Sequence, residues 1–354
     1  MTTIRIVSYN ILSSELSEPD HFKHCYSSDL DPDTRFRRML QKIEAEIHQH
    51  AIICLQEISQ LWAGPLHAFF QQRYYHFVTA LYGGPWNGYM GVGLAWPTED
   101  YEAAQVDIKR LVDSRRWPPS PKPNGLAWAS RQVSTFLAGV GRRGLHWVGV
   151  ATEAPYDPWA EAQRRSNELI FARLCRRQDG AAFCVATYHM PCLYGTAKKR
   201  QTMMIHASLA AQYIQKLAVD HPYVLAGDFN IVPGSSAHRL LTEGKWDAEH
   251  EDFPTPRADD DTGWDANHVK PLRSAYVVKN GQEPDFTNNA QVGDEPPFAD
   301  TLDYIFLSPH WSVEDVIRLG HRADLKGPFP NAQEPSDHVL IGADLKLGRC
   351  AKTS

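Results

Sequence analysis

The sequence predicts an α/β fold. Short apolar runs that end in polar residues alternate with amphipathic segments of helical period from one end of the chain to the other, and neither an internal repeat nor a linker interrupts them. At 354 residues, with 43% hydrophobic and 22% charged residues, the chain has length for a large core and too few charges for general disorder. We expect a single domain over residues 1–349.

The elements follow in order. Residues 3–10 (Thr-Ile-Arg-Ile-Val-Ser-Tyr-Asn) are β-rich and open the chain on an inner strand. From Asp33 to about Gln49, Phe36, Met39, Leu40, Ile43 and Ile47 recur at helical spacing, with Pro32 suited to the first turn. Residues 51–55 form a continuous apolar run, as in a strand buried on both faces, and exit through Gln56-Glu57. The same pattern recurs where Phe183–Tyr188 ends at His189 and Tyr223–Gly227 ends at Asp228-Phe-Asn230, with a helix over Gln201–Leu217 between them. Leu302–Leu307 and Val339–Leu345 supply later strands.

Two stretches depart from this pattern. Residues 97–130 carry five prolines and paired arginines, and residues 243–299 are rich in Asp, Pro and Asn. Both read as long excursions from the layers, as surface or as specificity loops.

Composition bounds the function. Thirty-six Lys+Arg against 42 Asp+Glu give a formal charge of −6, which argues against binding through bulk phosphate attraction. No apolar run approaches the roughly 18 residues of a membrane span, and the first residues lack the pattern of a secretory signal. Six scattered cysteines without a CxxC pair point to reduced thiols in an intracellular compartment, cytoplasmic or nuclear.

The placement of polar residues carries the chemistry. Separate runs exit through Asn10, Glu57, His189, the pair Asp228/Asn230, and Asp303, and Ser336-Asp337-His338 precedes the last strand. One acid after an apolar run is an ordinary strand exit, but a set of this size is a candidate site. In extended backbone Asp228 and Asn230 would share a face with Phe229 on the other, and Gly227 permits close backbone approach. Hard oxygen donors without a Cys/His cluster imply Mg²⁺ or Mn²⁺ rather than zinc. Such an ion beside an Asp-oriented His and amide donors suits attack of water on a phosphoric ester.

In order, Ser8-Tyr-Asn10-Ile, Cys54-Leu-Gln-Glu57, Asn167, Thr187-Tyr-His189, Gly227-Asp-Phe-Asn230, Leu302-Asp303-Tyr-Ile and Ser336-Asp337-His338 resemble the endonuclease/exonuclease/phosphatase superfamily over nearly the whole chain. Alternation alone suggests a doubly wound parallel sheet. The resemblance implies instead a four-layer β-sandwich of two mainly antiparallel sheets flanked by helices, its site at one edge. Asp33-Thr-Arg-Phe-Arg-Arg, Gly227–Pro233 followed by Leu240-Leu241, and Pro284–Asn288 look most like the deadenylase and nocturnin-like branch, from which His189-Met-Pro-Cys-Leu-Tyr departs.

The resemblance implies roles. Glu57 would be the main metal carboxylate, helped by Asn10 and Asp337. Asp303 would orient His338, either a general base or a stabiliser of the transition state. Asp228 would position the nucleophile or assist the leaving oxygen, while Asn230 and His189 would contact the phosphate. Asn167 would orient a neighbour, and Phe298 would stack on a base. RNA or another nucleotide-containing phosphodiester is the implied substrate. A small-molecule or lipid phosphate, an abasic-site DNA nuclease role and a silent binding module are the competing readings. Lys198-Lys199-Arg200 would guide a polyanion or simply face solvent. Trp86, Trp96, Trp117 and Trp128 suggest base stacking, with core packing the better reading for Trp96.

Overall fold

The computed structural model describes residues 3–118, 156–257 and 260–347. Trp128 and most of the proline-rich stretch lie outside the described residues. The strands are β1 (Ile4–Asn10), β2 (Ile52–Ile58), β3 (Tyr75–Leu81), β4 (Gly91–Pro97), β5 (Tyr101–Arg110), β6 (Glu168–Arg176) and β7 (Ala182–His189). After them come β8 (Tyr223–Asp228), β9 (Arg273–Ser274), β10 (Asn288–Ala290), β11 (Phe298–Asp300), β12 (Asp303–Leu307), β13 (Trp311–Val316) and β14 (Ile341–Leu347). The main helices are α1 (Pro32–Ile47), α2 (Gln60–Gln71), α3 (Pro158–Arg164), α4 (Ala197–Ala218), α5 (Ser236–Glu243) and α6 (Ala275–Asn280).

Two six-stranded sheets form, in the orders β13-β14-β1-β2-β4-β3 and β5-β6-β7-β8-β12-β9, with β10-β11 as a separate ribbon. Each sheet has one parallel pair, β1 with β2 and β7 with β8, and is otherwise antiparallel. A helix bridges each parallel pair: α1 carries the chain from β1 to β2, and α4 from β7 to β8. The doubly wound sheet suggested by alternation is thus replaced by the sandwich.

Strand side chains alternate faces, and here both faces are apolar. Ile4, Ile6, Ile52 and Cys54 of the first sheet meet Val185, Val224, Ala226 and Ile305 of the second in the central layer. The alternate residues Val7, Tyr9, Ile53 and Leu55 pack outward on α1 and α2. Cys184, Tyr188, Leu225 and Phe306 pack outward on α4 and α5. The result is four layers, with helices outside both sheets. Asp31 caps α1 by accepting from Thr34 N (2.8 Å), with Pro32 in the first turn.

The two expected excursions are corrected in part. Residues 101–110 of the first form β5, an edge strand paired to β6. Its Val106 and Ile108 are exposed while Asp107 accepts from Tyr213 Oη (2.7 Å), so its polarity runs opposite to the usual alternation. The second contains β9, α6 and the β10-β11 ribbon. Trp96 is buried, whereas Trp117 lies beside the Arg115 guanidinium, which also faces Trp159 and Trp264 and pairs with Asp260 at 2.7 Å. Arg200 is tied to Glu251 and Asp252 (2.8 and 2.7 Å), which removes it from the basic triplet as a free cation. Among the described residues no helix is long and apolar enough to cross a membrane.

Gly227 has φ +153°, and a Cβ there would lie 1.9 Å from the Tyr188 carbonyl oxygen. Gly227→Ala should therefore lower unfolding stability by about 3 kcal/mol in a denaturant titration; a loss below about 1 kcal/mol would contradict the close approach of β7 and β8.

Buried His206 accepts from Tyr188 Oη at Nδ1 (2.8 Å) and donates from Nε2 to Ala162 O (3.2 Å), the geometry of a neutral ring. Burial lowers its pKa from 6.5 to about 3. The unfolded chain binds this proton first, so stability should fall as pH drops from about 6.5 towards 3, by about 1.4 kcal/mol per unit. His206→Gln should flatten that slope in pH-dependent melts; an unchanged slope would show that His206 does not set it.

Candidate active site

The inward-facing positions of the central layer change character along each strand. After Ile4 and Ile6 come Ser8 and Asn10; after Ile52 and Cys54 comes Gln56; after Phe183 and Val185 come Thr187 and His189; after Val224 and Ala226 comes Asp228; and before Ile305 lies Asp303. All these inward positions are buried. Gln56 Nε2 donates to Ser8 Oγ and to Thr187 Oγ1 (both 3.1 Å), a neutral polar layer that joins the sheets. Beyond it lies the charged layer. His189, Asp228 and Asp303 occupy one rung on three adjacent strands, since Asp228 is paired with both of the others.

Asn10 closes the gap between sheets. Its Nδ2 donates to Asp228 Oδ2 (2.9 Å) and Glu57 Oε1 (3.0 Å), while its Oδ1 accepts from Leu12 N (3.0 Å). Asn10 was expected among the metal ligands; here its oxygen is turned away and its amide clamps two carboxylates.

Glu57 reaches the site through a bulge. Strand parity would place it outward with Ile53 and Leu55, but the β2-β4 register shifts between Gln56 and Ile58 and Glu57 adopts φ +59°. Its Oε2 accepts from Ser13 N (3.1 Å).

Asp303 Oδ2 accepts from Thr287 Oγ1 (2.6 Å) and lies 2.7 Å from His338 Nδ1, leaving His338 Nε2 3.7 Å from Asp228 Oδ2. His189 Nε2 lies 3.6 Å from the same oxygen and 3.9 Å from Glu57 Oε1. Asp228 Oδ1 accepts from Asn230 N (2.9 Å). Asn230 is not extended as the sequence suggested: it turns at φ +51° and donates from Nδ2 to Met190 O (3.0 Å). Phe229 packs on the opposite face against Phe306, ring centroids 5.1 Å apart. Asp337 Oδ2 accepts from Asn288 Nδ2 (3.3 Å). Asn167 donates to His189 O (2.8 Å), and Phe298 stands half-exposed at the rim. Asn167 and Phe298 share with Glu57, His189, Asp228, Asn230, Asp337 and His338 one cleft of about 1220 Å³.

Thr287, Asn288, Arg35 and Tyr194 were missed. Thr287 and Asn288 sit inside a segment quoted only for resemblance, and nothing in their spacing marks a bond to Asp303 or Asp337. Arg35 is buried, donating to Pro335 O, Ile11 O and Leu12 O. Tyr194 Oη donates to Asn230 Oδ1 (3.2 Å).

Burial pushes Asp228 up to about 6, with Asp303 adding to the shift and His338 and His189 opposing it. Burial, with Glu57 nearby, also raises Asp337. For His338 burial acts downward, but Asp303, Asp337 and Asp228 outweigh it and hold the imidazole well above its usual range. The layer thus carries an excess of buried carboxylates. Glu57, His189 and Asp228 offer ligand atoms within 4.8 Å of one another, as do Asp228, Asp303 and His338. Hard oxygen donors in excess fit a small divalent cation.

A four-layer sandwich whose open end gathers carboxylates and imidazoles defines the class of the sandwich-fold phosphoric ester hydrolases. The family model described as the Endonuclease/Exonuclease/phosphatase family matches residues 7–338, and the chain belongs to that family. It is 25% identical over 384 residues to the CCR4-Not complex 3′-5′-exoribonuclease subunit Ccr4 of Aspergillus niger, covering 97% of this chain and 52% of that protein. The chain therefore spans about half the length of the curated relatives it matches in full. It is 28% identical over 191 residues to 2′,5′-phosphodiesterase 12 of Bos taurus, covering 52% of this chain and 29% of that protein. In fold it is similar to ANGEL2, a 2′,3′-cyclic phosphatase, with TM-score 0.70, 19% identity, and 98% and 96% of the two chains covered. The human Nocturnin catalytic domain gives TM-score 0.61, 18% identity, and 98% and 94% coverage.

Crowded carboxylates oppose folding when no cation is bound. In EDTA, Asp228→Asn should unfold later than wild type, by about 1 to 2 kcal/mol, and Mg²⁺ should raise the wild-type Tm more than the variant's. Equal melting temperatures and equal metal responses would show that the carboxylates are not in conflict.

Proposed function

We propose that this chain is a Mg²⁺- or Mn²⁺-dependent phosphodiesterase that removes nucleotides from the 3′ end of RNA, in the manner of a deadenylase. The observation that carries the reading is the convergence of His189, His338 and Asn10 on one oxygen, Asp228 Oδ2, in a nucleotide-sized cleft. Similarity over 97% of this chain, matching about half the length of proteins named 3′-5′-exoribonuclease subunits, supports RNA as substrate. Unpaired cysteines among the described residues suit a cytoplasmic or nuclear setting.

Glu57 and Asp337 would hold the cation, with Asp228 bordering it. When bound, the ion supplies charge neutralisation at the scissile phosphate. Asp228, fixed at both oxygens by Asn10 and Asn230, orients the attacking water and accepts its proton; burial makes it a stronger base than an ordinary carboxylate. Asp303 holds His338 Nδ1, so Nε2 faces the phosphate, and the cationic ring stabilises the oxygens as charge develops and supplies the proton that the departing 3′ oxygen takes up as its bond to phosphorus breaks. His189 Nε2 flanks the other side, its backbone held by Asn167. Asn230 uses one N–H on Met190 O and keeps the second for a phosphate oxygen. Phe298 offers its ring to the terminal base.

Incubation with poly(A) and Mg²⁺ should release 5′-mononucleotides from the 3′ end. Activity should vanish in EDTA and fall at least about 10²-fold in Asp228→Ala and His338→Ala. Mass spectra showing undiminished products in EDTA, or inorganic phosphate as the sole product, would overturn the assignment.

A further inference from the structure

The cleft has a basic wall that the hydrolytic chemistry leaves unused. Helix α3 ends in Arg164 and Arg165, and both line the cleft immediately before Asn167. Each guanidinium donates to a different oxygen of Glu161. Two cations share one carboxylate, so the trio keeps a net charge of +1. The Arg164 side chain is 78% exposed, a setting in which an ion pair contributes little to stability. Arg165 Nε is buried and lacks a hydrogen-bond partner.

The wall is built rather than draped. Asp157 caps α3 by accepting from Trp159 N (3.0 Å), and the buried Trp159 indole donates to Thr255 O (2.9 Å). Arg110 donates to Arg165 O (3.0 Å) and Gln163 O (2.8 Å), fixing the end of the helix. A guanidinium pair on an anchored helix end, in the same cleft as the site carboxylates, suits a dianionic ligand that spans both: one phosphate at the site, the next at the arginines. Planar guanidinium forks match phosphate oxygens, and the Glu161 carboxylate they share leaves the pair one uncompensated positive charge for a ligand.

We propose that Arg164 and Arg165 form a subsite for the phosphate adjacent to the scissile one, which makes the chain select oligonucleotides over isolated diesters. The inference rests on the phosphodiesterase reading above. Steady-state kinetics with Mg²⁺ on ApA, which has one phosphodiester, and ApApA, which has two, separate the two ideas. Wild type should prefer ApApA, and Arg164→Ala should lower the ApApA/ApA ratio of kcat/KM about tenfold, through KM. The slope of log kcat/KM for ApApA against log salt should become shallower by about 0.7, the value for one lost single-strand phosphate contact. Glu161→Gln, which raises the trio to +2, should lower KM for ApApA and steepen the slope, a gain that misfolding does not produce. An unchanged ApApA/ApA ratio in Arg164→Ala, or a Glu161→Gln variant with an unchanged salt slope, would overturn the subsite alone. A wild type inert towards both substrates would overturn the nuclease reading, and the subsite with it.

Discussion

The structure depends on a single constraint: the space between two sheets must be filled along its whole length, and only its closed part can be apolar. Side chains from both sheets interdigitate there. Where the layer opens, the same inward positions must carry groups that tolerate water. The hydrogen bond from Asn10 on one sheet to Asp228 on the other marks that boundary. Ser8, Gln56 and Thr187 lie just beneath it as a neutral layer on β1, β2 and β7, while on β8 and β12 the apolar core runs straight up to Asp228 and Asp303. Gln56 pairs with Ser8 within its own sheet and with Thr187 across to the other, which offsets the desolvation penalty these groups would otherwise carry. The site is the end of the core.

Placing charge at that end requires backbone conformations that strands avoid. Leu12, Glu57 and Asn230 all have positive φ, at 51°, 59° and 51°, and each costs of order 1 kcal/mol or more. Specific bonds hold them: the Leu12 amide on Asn10 Oδ1, the Glu57 carboxylate on Asn10 and Ser13, the Asn230 amide on Asp228. Each bond also fixes the orientation of a site group. Strain and chemistry are thus coupled through the same atoms, and Asn10 sits at the centre of both.

This explains what was legible in the sequence. Strands apolar on both faces, the helices α1 and α4, and the polar exits at Asn10, His189, Asp228 and Asp303 follow from local pattern, because parity along a strand carries through to the face it presents. Glu57 was legible as an exit carboxylate, but its route was not: a bulge is a register relation between two strands, and β2 alone does not encode it. β5 was hidden because its half-buried positions are Gln105, Asp107 and Lys109 while Val106 and Ile108 face out. The partners Thr287 and Asn288 come from a ribbon segment whose position is set by tertiary pairing with His338 and Val339. Nothing in the sequence pattern marks Arg164 and Arg165; they join the cleft because α3 places them there with Asn167.

The charge of −6 acquires a different meaning once the residues are located. Fields between exposed groups fade over about 8 Å at physiological salt, so net charge governs distant approach more than binding at a site. Within the cleft, Glu57, Asp228 and Asp337 gather around His189 and His338, backed by Asp303, and the Arg164/Arg165 pair with Glu161 lines another part of it. A bare acidic floor repels a phosphate. With a divalent cation on that floor the local balance reverses, and the floor becomes the attractive end of the cleft. On the phosphodiesterase reading proposed above, the same carboxylates would exclude polyanions from the reacting groups without the ion and admit them with it. On that reading, a chain of charge −6 would act on a polyanion through affinity confined to one place and conditional on the ion.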